Sequence, residues 1–387
     1  MKAGAALVLT EDPGQAARQA VEQARAALGD QPPAFGVLFA SQHYHVPAQA
    51  LLAAVTERLG PLPLIGCVAE AVAGGSTEVE SAAAVSLWLA AGVGPVETFS
   101  MEFLPTSSGG AFGGYRFEGD RPGVCLMICD PFTFPAEHLL SHLNENAAGT
   151  QVMGGMASGG LGAQRSRLFL DGKVLNAGAV GAWLPDAEIH PLVSQGCRPV
   201  GDPFTVTAAE GNLVAELGGR PAMTRLQDLA ASLSTQDRQL LAQGVQVGMV
   251  IDEYGAERRQ GDFLIRSILG AQPETGAIAV GDEVEVGQTL QFHVRDADSA
   301  DQELRRLLEQ ETAALGGQHP AGALLFTCNG RGSRLFPKPS HDTGLIAEVL
   351  GDTPVAGFFC AGELGPVSGR NYLHTFTASI AVFPGQP

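Results

Sequence analysis

Apolar positions along the chain follow two rhythms. One is a set of short uninterrupted apolar runs. Gly36-Val-Leu-Phe-Ala-Ser41, Gly123-Val-Cys-Leu-Met-Ile-Cys129 and Gly322-Ala-Leu-Leu-Phe-Thr-Cys328 are the clearest. Runs of this length without alternation predict strands buried on both faces. The other is a helical spacing after each run: Leu51, Leu52, Val55 and Leu59; then Leu139, Leu140 and Leu143; then Leu345, Ile346, Val349 and Leu350. Each helix is followed by a second apolar segment with glycine in it: Pro63-Leu-Ile-Gly66-Cys67, Val152-Met-Gly154-Gly155 and Pro354-Val-Ala-Gly357. The pattern is a strand–helix–strand unit present three times. Strands joined through a helix pair in parallel by a right-handed crossover, and ligands of open α/β sheets bind at the carboxyl ends of such strands.

Other segments predict antiparallel pairing. Ala5 to Thr10, Ser86 to Leu89 and Val96 to Leu104 read as strands. Arg167 to Leu175 reads as a hairpin with an Asp-Gly turn, and Val206 to Leu217 as another, turning at Glu210-Gly211-Asn212. Asp12 with Pro13 opens a helix through Ala17, Val21, Ala24 and Leu28. Pro221 opens a helix through Leu226, Leu229 and Leu233. Ser299 with Gln302 reads as a capping box for a later helix. The expected fold is α/β (mixed α+β): two modules, residues 1–190 and 191–387, built on the repeated units with mixed parallel and antiparallel sheets. The boundary is placed in Pro185 to Pro199, where polar residues and three prolines separate halves of similar length.

Composition narrows the function. Among 387 residues, 41 acids face 23 bases, for a formal charge of -18, and only Lys2, Lys173 and Lys338 are lysines. Nucleic-acid binding relies on Lys and Arg against phosphates, so nucleic acid is excluded as a partner, and an anionic membrane surface would repel the chain. No apolar run approaches the 18 or so residues that span a bilayer. The amino terminus reads as a first strand and not a signal peptide. Six scattered cysteines without a CxxC read as reduced thiols in a cytoplasmic protein.

Candidate chemistry is concentrated after strands. The run Gly154 to Gly162 leads into a strand, whereas a phosphate loop leads into a helix; it reads as a tight connection. Asp130 follows the second buried strand. Cys328-Asn329-Gly330-Arg331-Gly332 follows the third, and Arg331 offers a fork for a carboxylate or phosphate; the plainer reading is an Arg paired with a nearby acid. Gly357 to Asn371 mixes a thiol, Glu363, Arg370 and Asn371 among four glycines and a proline, and reads as a ligand-placing loop ahead of a strand Thr375 to Phe383 that His374 would start. Cys67 with Glu70, and Cys328 with His374, are nucleophile pairs only if folding joins them. His138 and His142, four apart, fall with Glu145 on a solvated helix face, and Asp296, Asp298 and Asp301 lack the glycine and glutamate of a calcium loop. No metal, no cofactor and no catalytic group is assigned.

Several of these segments together resemble FIST-domain proteins, over nearly the whole chain. The carriers are Pro63-Leu-Ile-Gly66-Cys67-Val-Ala-Glu70, Ser194 to Gly201, Glu216 to Ala222, Leu324 to Gly332, and Gly357-Phe-Phe-Cys360-Ala-Gly362-Glu363-Leu-Gly-Pro366. The resemblance implies an amino-terminal and a carboxyl-terminal FIST module forming an intracellular sensory protein for small ligands such as amino acids. No segment is left for an output domain, so the signal is expected to pass through a separate partner. The expected ligand is a small anionic or zwitterionic metabolite held between the modules, with Arg331 and Arg370 on a carboxylate, Glu363 or Asp130 on an ammonium group, and Cys67, Glu70, Cys328, Asn329 and Asn371 completing the site. The alternatives are an enzyme of acyl or thiol chemistry using Cys328 or Cys67, and an interaction scaffold without a ligand.

Overall fold

The computed structural model describes residues 1–106, 109–117, 123–185, 187–253 and 262–385. All three repeated units form. The first is β1 (Phe35–Ser41), α1 (Ala48–Leu59) and β2 (Leu64–Ala69); the second is β3 (Val124–Cys129), α2 (Ala136–Asn146) and β4 (Gln151–Met156); the third is β5 (Gly322–Cys328), α3 (His341–Leu350) and β6 (Val355–Cys360). Within each unit the two strands pair in parallel.

The register explains the recurrent glycine. Gly66 lies opposite Leu38, Gly154 opposite Met127 and Gly357 opposite Leu325. A Cβ at these glycines would stand 1.8, 1.8 and 2.2 Å from the facing carbonyl oxygen. The second strand therefore approaches the first more closely than any side chain allows.

By contacts the chain forms two compact units, Met1–Val193 with Leu304–Pro387, and Ser194–Glu303. The segment read from sequence as the module boundary carries the strands His190–Gln195 and Cys197–Glu210; residue 186 lies outside the described residues.

The first unit holds three mixed sheets. In one, Ala84–Ala91 pairs antiparallel with β1, Lys2–Leu9 pairs beyond it, and the hairpin Leu168–Leu170 and Lys173–Leu175 extends β2. Asp171 and Gly172 turn that hairpin with φ of 46° and 84°, the positive pair an Asp-Gly turn supplies. Asp171 also accepts from the Leu64 amide at 2.9 Å, which ties the turn to β2. In the second sheet Ala179–Leu184 flanks β3, and Glu363–Val367 with Arg370–His374 extends β4. In the third, Thr377–Phe383 flanks β5, and Val72–Gly74 with Thr77–Val79 extends β6. The first and third sheets share one core: Phe39 lies 4.8 Å from Phe358 and 6.4 Å from Phe326 by ring centroid, and Trp88 lies 5.1 Å from Phe383.

The second unit is antiparallel. Cys197–Glu210 pairs with Thr289–Arg295, which pairs with Val245–Val250. The expected Glu210-Gly211-Asn212 turn leads to Leu213–Leu217, and the helix opened by Pro221 runs Ala222–Ser232.

Two expectations are corrected. The helix assigned to a Ser299 cap begins at Ala297. Asp296 caps it instead, accepting from the Asp298 amide at 3.3 Å and the Ser299 hydroxyl at 2.8 Å. A carboxylate already held by Arg198 displaces the serine from the capping role. The stretch Gly357 to Asn371 is not a loop. It is the end of β6 and the hairpin Glu363–Val367 with Arg370–His374, so His374 closes a strand and does not open one. The glycines there serve close strand contacts and the Ser368-Gly369 turn, where both residues have positive φ.

Candidate functional site

The carboxyl ends of β2, β5 and β6, with the residues after β4, converge in the first unit. Glu70, just past β2, has its amide bonded to the Ser158 hydroxyl at 2.9 Å. Its carboxylate pairs with Arg334 and accepts from the Asn329 side chain at 3.4 Å. Arg334 also donates to the Asn329 carbonyl at 2.6 Å. Ser333 donates to Glu80 through its amide at 2.9 Å and its hydroxyl at 2.6 Å. The loop after β5 is thus pinned to the segment from Glu70 to Glu80 by charged hydrogen bonds, the strong kind.

Arg331 is wholly buried. Its Nε and Nη2 clasp both oxygens of Asp342, at 2.8 and 2.7 Å. Asp342 sits in the first turn of α3 and also accepts from the Thr327 hydroxyl at 2.7 Å. The guanidinium carbon lies 5.1 Å from the Phe336 ring, and Phe336 stacks on His341 at 3.4 Å. Burial opposes the charge of Arg331 and the Asp342 carboxylate more than restores it; the same guanidinium holds the Asp342 carboxyl well below the usual range against its own burial. The third guanidinium nitrogen, Nη1, is buried without a hydrogen-bond partner.

Two further buried carboxyls surround this pair. Glu363 accepts from the Thr377 hydroxyl at 2.8 Å and amide at 3.1 Å, both on one oxygen; Oε1 lacks a partner in bonding geometry. Burial pushes its carboxyl up to about 8, opposed by Thr377, Arg331 and the Cys328 thiol. Glu78 caps α3 by accepting from the Thr343 amide at 3.0 Å, with Oε2 unpartnered. Burial, then the charge of Asp342, pushes it up to about 7. Cys328 accepts from the Gly330 amide at 3.4 Å, but burial pushes its thiol up strongly, and likewise those of Cys67 and Cys360. Buried, protonated thiols are poor nucleophiles.

Of the residues nominated from sequence, Glu70, Cys328, Asn329, Arg331 and Glu363 are linked by these contacts and fields, and Cys67 lies in the core close enough to raise Cys360. The other three are engaged elsewhere. Asp130 accepts from Ser166 at 2.7 Å and from Thr133. Asn371 accepts from the Val152 amide at 2.9 Å and donates to the Thr150 carbonyl at 2.7 Å, so its amide extends the start of β4. Arg370 stands exposed at the Ser368-Gly369 turn. Reading the sequence missed Asp342, Glu78 and Arg334. An acid in a first helical turn reads as a dipole partner, so Asp342 gave no sign of facing back to Arg331. The clefts of about 830, 620 and 430 Å³ are lined by other residues. Among the described residues no group of three His, Cys, Asp or Glu side chains could hold a metal, and no helix is long and apolar enough to cross a membrane.

The chain belongs to the FIST family. A FIST N domain is matched at residues 34–220 and a FIST C domain at residues 222–366. An uncharacterized protein of Mycobacterium bovis is 47% identical over 383 residues, 99% of each chain. An uncharacterized protein of Mycobacterium tuberculosis is 47% identical over 383 residues, 99% of this chain and all of its own. FIST domains are as a class sensory and signal-transduction domains credited with binding small ligands.

Proposed function

We propose that this protein is a cytoplasmic sensor that binds a small anionic or zwitterionic metabolite, such as an amino acid, and passes the signal to a separate partner protein. The site is the strand-end cluster of Glu70, Cys328, Asn329, Arg331 and Glu363. The observation that carries the reading is a pair of buried polar atoms: Arg331 Nη1 and Glu363 Oε1 each lack a partner in bonding geometry, at strand ends where open α/β sheets take ligands. Such atoms cost free energy until something bonds them. A carboxylate suits the first, and an ammonium or hydroxyl donor the second once the Glu363 carboxyl gives up its proton beside it. Asn329 is half-buried, with Arg334, Ser333 and Ala361 exposed beside it, so this side of the cluster faces solvent. Ligand binding would draw on residues fixed to α3 and to both flanking repeats, and a ligand shifts a conformational equilibrium only through such differential contacts.

The test is thermal denaturation against a panel of amino acids, dicarboxylates and hydroxy acids. Binders should raise the melting temperature of the wild type. Asn329→Ala and Arg334→Ala, at half-exposed and exposed positions, should weaken that rise while leaving the ligand-free protein folded. A panel without a single shift, or shifts untouched by both substitutions, would defeat the reading.

A further inference from the structure

The strand-end cluster leaves unused a cleft of about 620 Å³ between α2 and the strands Glu97–Thr106 and Gly109–Gly114. We infer that this cleft is a second ligand site, for a small carboxylate carried on an aromatic body.

Its volume falls in the range of small-molecule sites. One wall is the outward face of α2. His138, His142 and Asn146 recur at every fourth residue and therefore line up along the helix, above the buried Leu139 and Leu143. The opposite wall carries Phe112, Tyr115 and Phe117, with Arg116 between the last two. These rings are braced. Tyr115 stacks on Phe99 at 4.0 Å, Phe112 meets Phe134 at 5.3 Å, and Phe117 meets Tyr115 edge-on at 5.1 Å and Trp183 at 6.5 Å. A braced aromatic wall offers flat apolar contact at little entropic cost.

The polar groups define the other half of the ligand. The Asn146 side-chain nitrogen donates to His142 Nδ1 at 3.2 Å and to the His142 carbonyl at 3.0 Å. In the neutral ring Nδ1 is thus an acceptor, and Nε2 carries the proton as a donor. Among the described residues, the cleft is lined by a guanidinium, two imidazoles and an amide, and by no Asp or Glu. That is notable in a chain where acids outnumber bases 41 to 23. Glu97, outside the described lining, accepts from the Tyr115 hydroxyl at 3.4 Å. A single guanidinium fork matches one carboxylate, and the rings match an aromatic body.

The test uses the purified full-length chain and phenylacetate, its neutral isostere phenylacetamide, and acetate. Trp183 reports through its contact with Phe117, so intrinsic fluorescence follows the titration. Phenylacetate should bind saturably, phenylacetamide at least about tenfold more weakly, and acetate below detection. Arg116→Gln, at an exposed position, should keep the wild-type melting temperature and lose about tenfold in phenylacetate affinity; His142→Phe, which keeps a ring and removes the donor, should lose some of it. Absence of saturable phenylacetate binding up to about 10 mM would overturn the inference. So would an amide that binds as well as the acid, or an Arg116→Gln protein that binds as the wild type does.

Discussion

Replacing Gly66 by alanine tests the central claim about the repeat. The new Cβ would stand 1.8 Å from the Leu38 carbonyl oxygen and 2.8 Å from its carbon, both atoms backbone. Real Cβ contacts stay beyond 3.0 Å, so β1 and β2 must move apart by more than about 1 Å at a spacing of about 4.8 Å. Overpacking of this kind costs about 1–3 kcal/mol, and each ladder hydrogen bond lost adds about 1 kcal/mol. Against that, alanine gains about 0.4–1 kcal/mol by restricting the unfolded chain. The net loss is about 2–4 kcal/mol, or about 3–7 °C in melting temperature for a unit of this size. Gly154→Ala and Gly357→Ala should lose similarly, since the facing carbonyl oxygens are at 1.8 and 2.2 Å. Gly344, inside α3 with no atom within 4 Å of its Cβ position, is the control: Gly344→Ala should stabilise by about 0.5–1 kcal/mol. Circular dichroism melts of the four variants decide the matter. Three repeat glycines that accept alanine without loss would show that close approach is not what demands glycine there.

Further outcomes follow from the buried charges and thiols. Glu363 and Glu78 hold protons up to about pH 8 and about pH 7, against an ordinary value of 4.5; the stability they allow is full below about pH 4.5 and falls as pH rises through those values, by about 1.4 kcal/mol per pH unit for each group. Urea titrations should show that decline, and Glu363→Gln should flatten it; an unchanged slope would contradict the assignment. Asp342→Asn should destabilise by about 3–5 kcal/mol by leaving Arg331 buried and unmatched, with the Arg331→Met, Asp342→Leu pair losing less than the single change, as denaturant midpoints would reveal. Asn371→Leu should lose about 2–3 kcal/mol without altering any ligand-induced rise in melting temperature. Iodoacetamide at pH 7 should label Cys67, Cys328 and Cys360 slowly in the native protein, because burial keeps all three protonated; one fast thiol, read by mass spectrometry, would restore the thiol-enzyme alternative.

The repeated units were legible because their signals are local: apolar run, helical spacing and glycine all lie within one unit. Their parallel pairing follows from the crossover rule alone. The Asp171-Gly172 and Gly211 turns were legible for the same reason. The candidate site was only partly legible. Glu70, Cys328, Asn329, Arg331 and Glu363 stand where strands end, and strand ends can be read. Which acid Arg331 meets could not be. Asp342 is only eleven residues away, but the pairing depends on how α3 folds back over β5, and Glu78 and Glu363 arrive from other strands. Gly357 to Asn371 misled because glycine and proline read as loop, whereas here they allow strands to pack closely, as at Gly365, where a Cβ would stand 2.7 Å from the Ser379 hydroxyl.

The third sheet joins segments far apart along the chain. Val72–Gly74 pairs with Val355–Cys360, which is translated much later, and the whole Ser194–Glu303 unit emerges between them. On the ribosome the Val72–Val79 hairpin must therefore wait, its outer backbone groups unpaired, while the second unit is made and is free to fold. A waiting edge of this kind is a target for chaperones and for wrong strand partners. Truncation near the carboxyl terminus should accordingly expose an edge formed by the amino-terminal half, and aggregation of nascent or shortened chains should begin there.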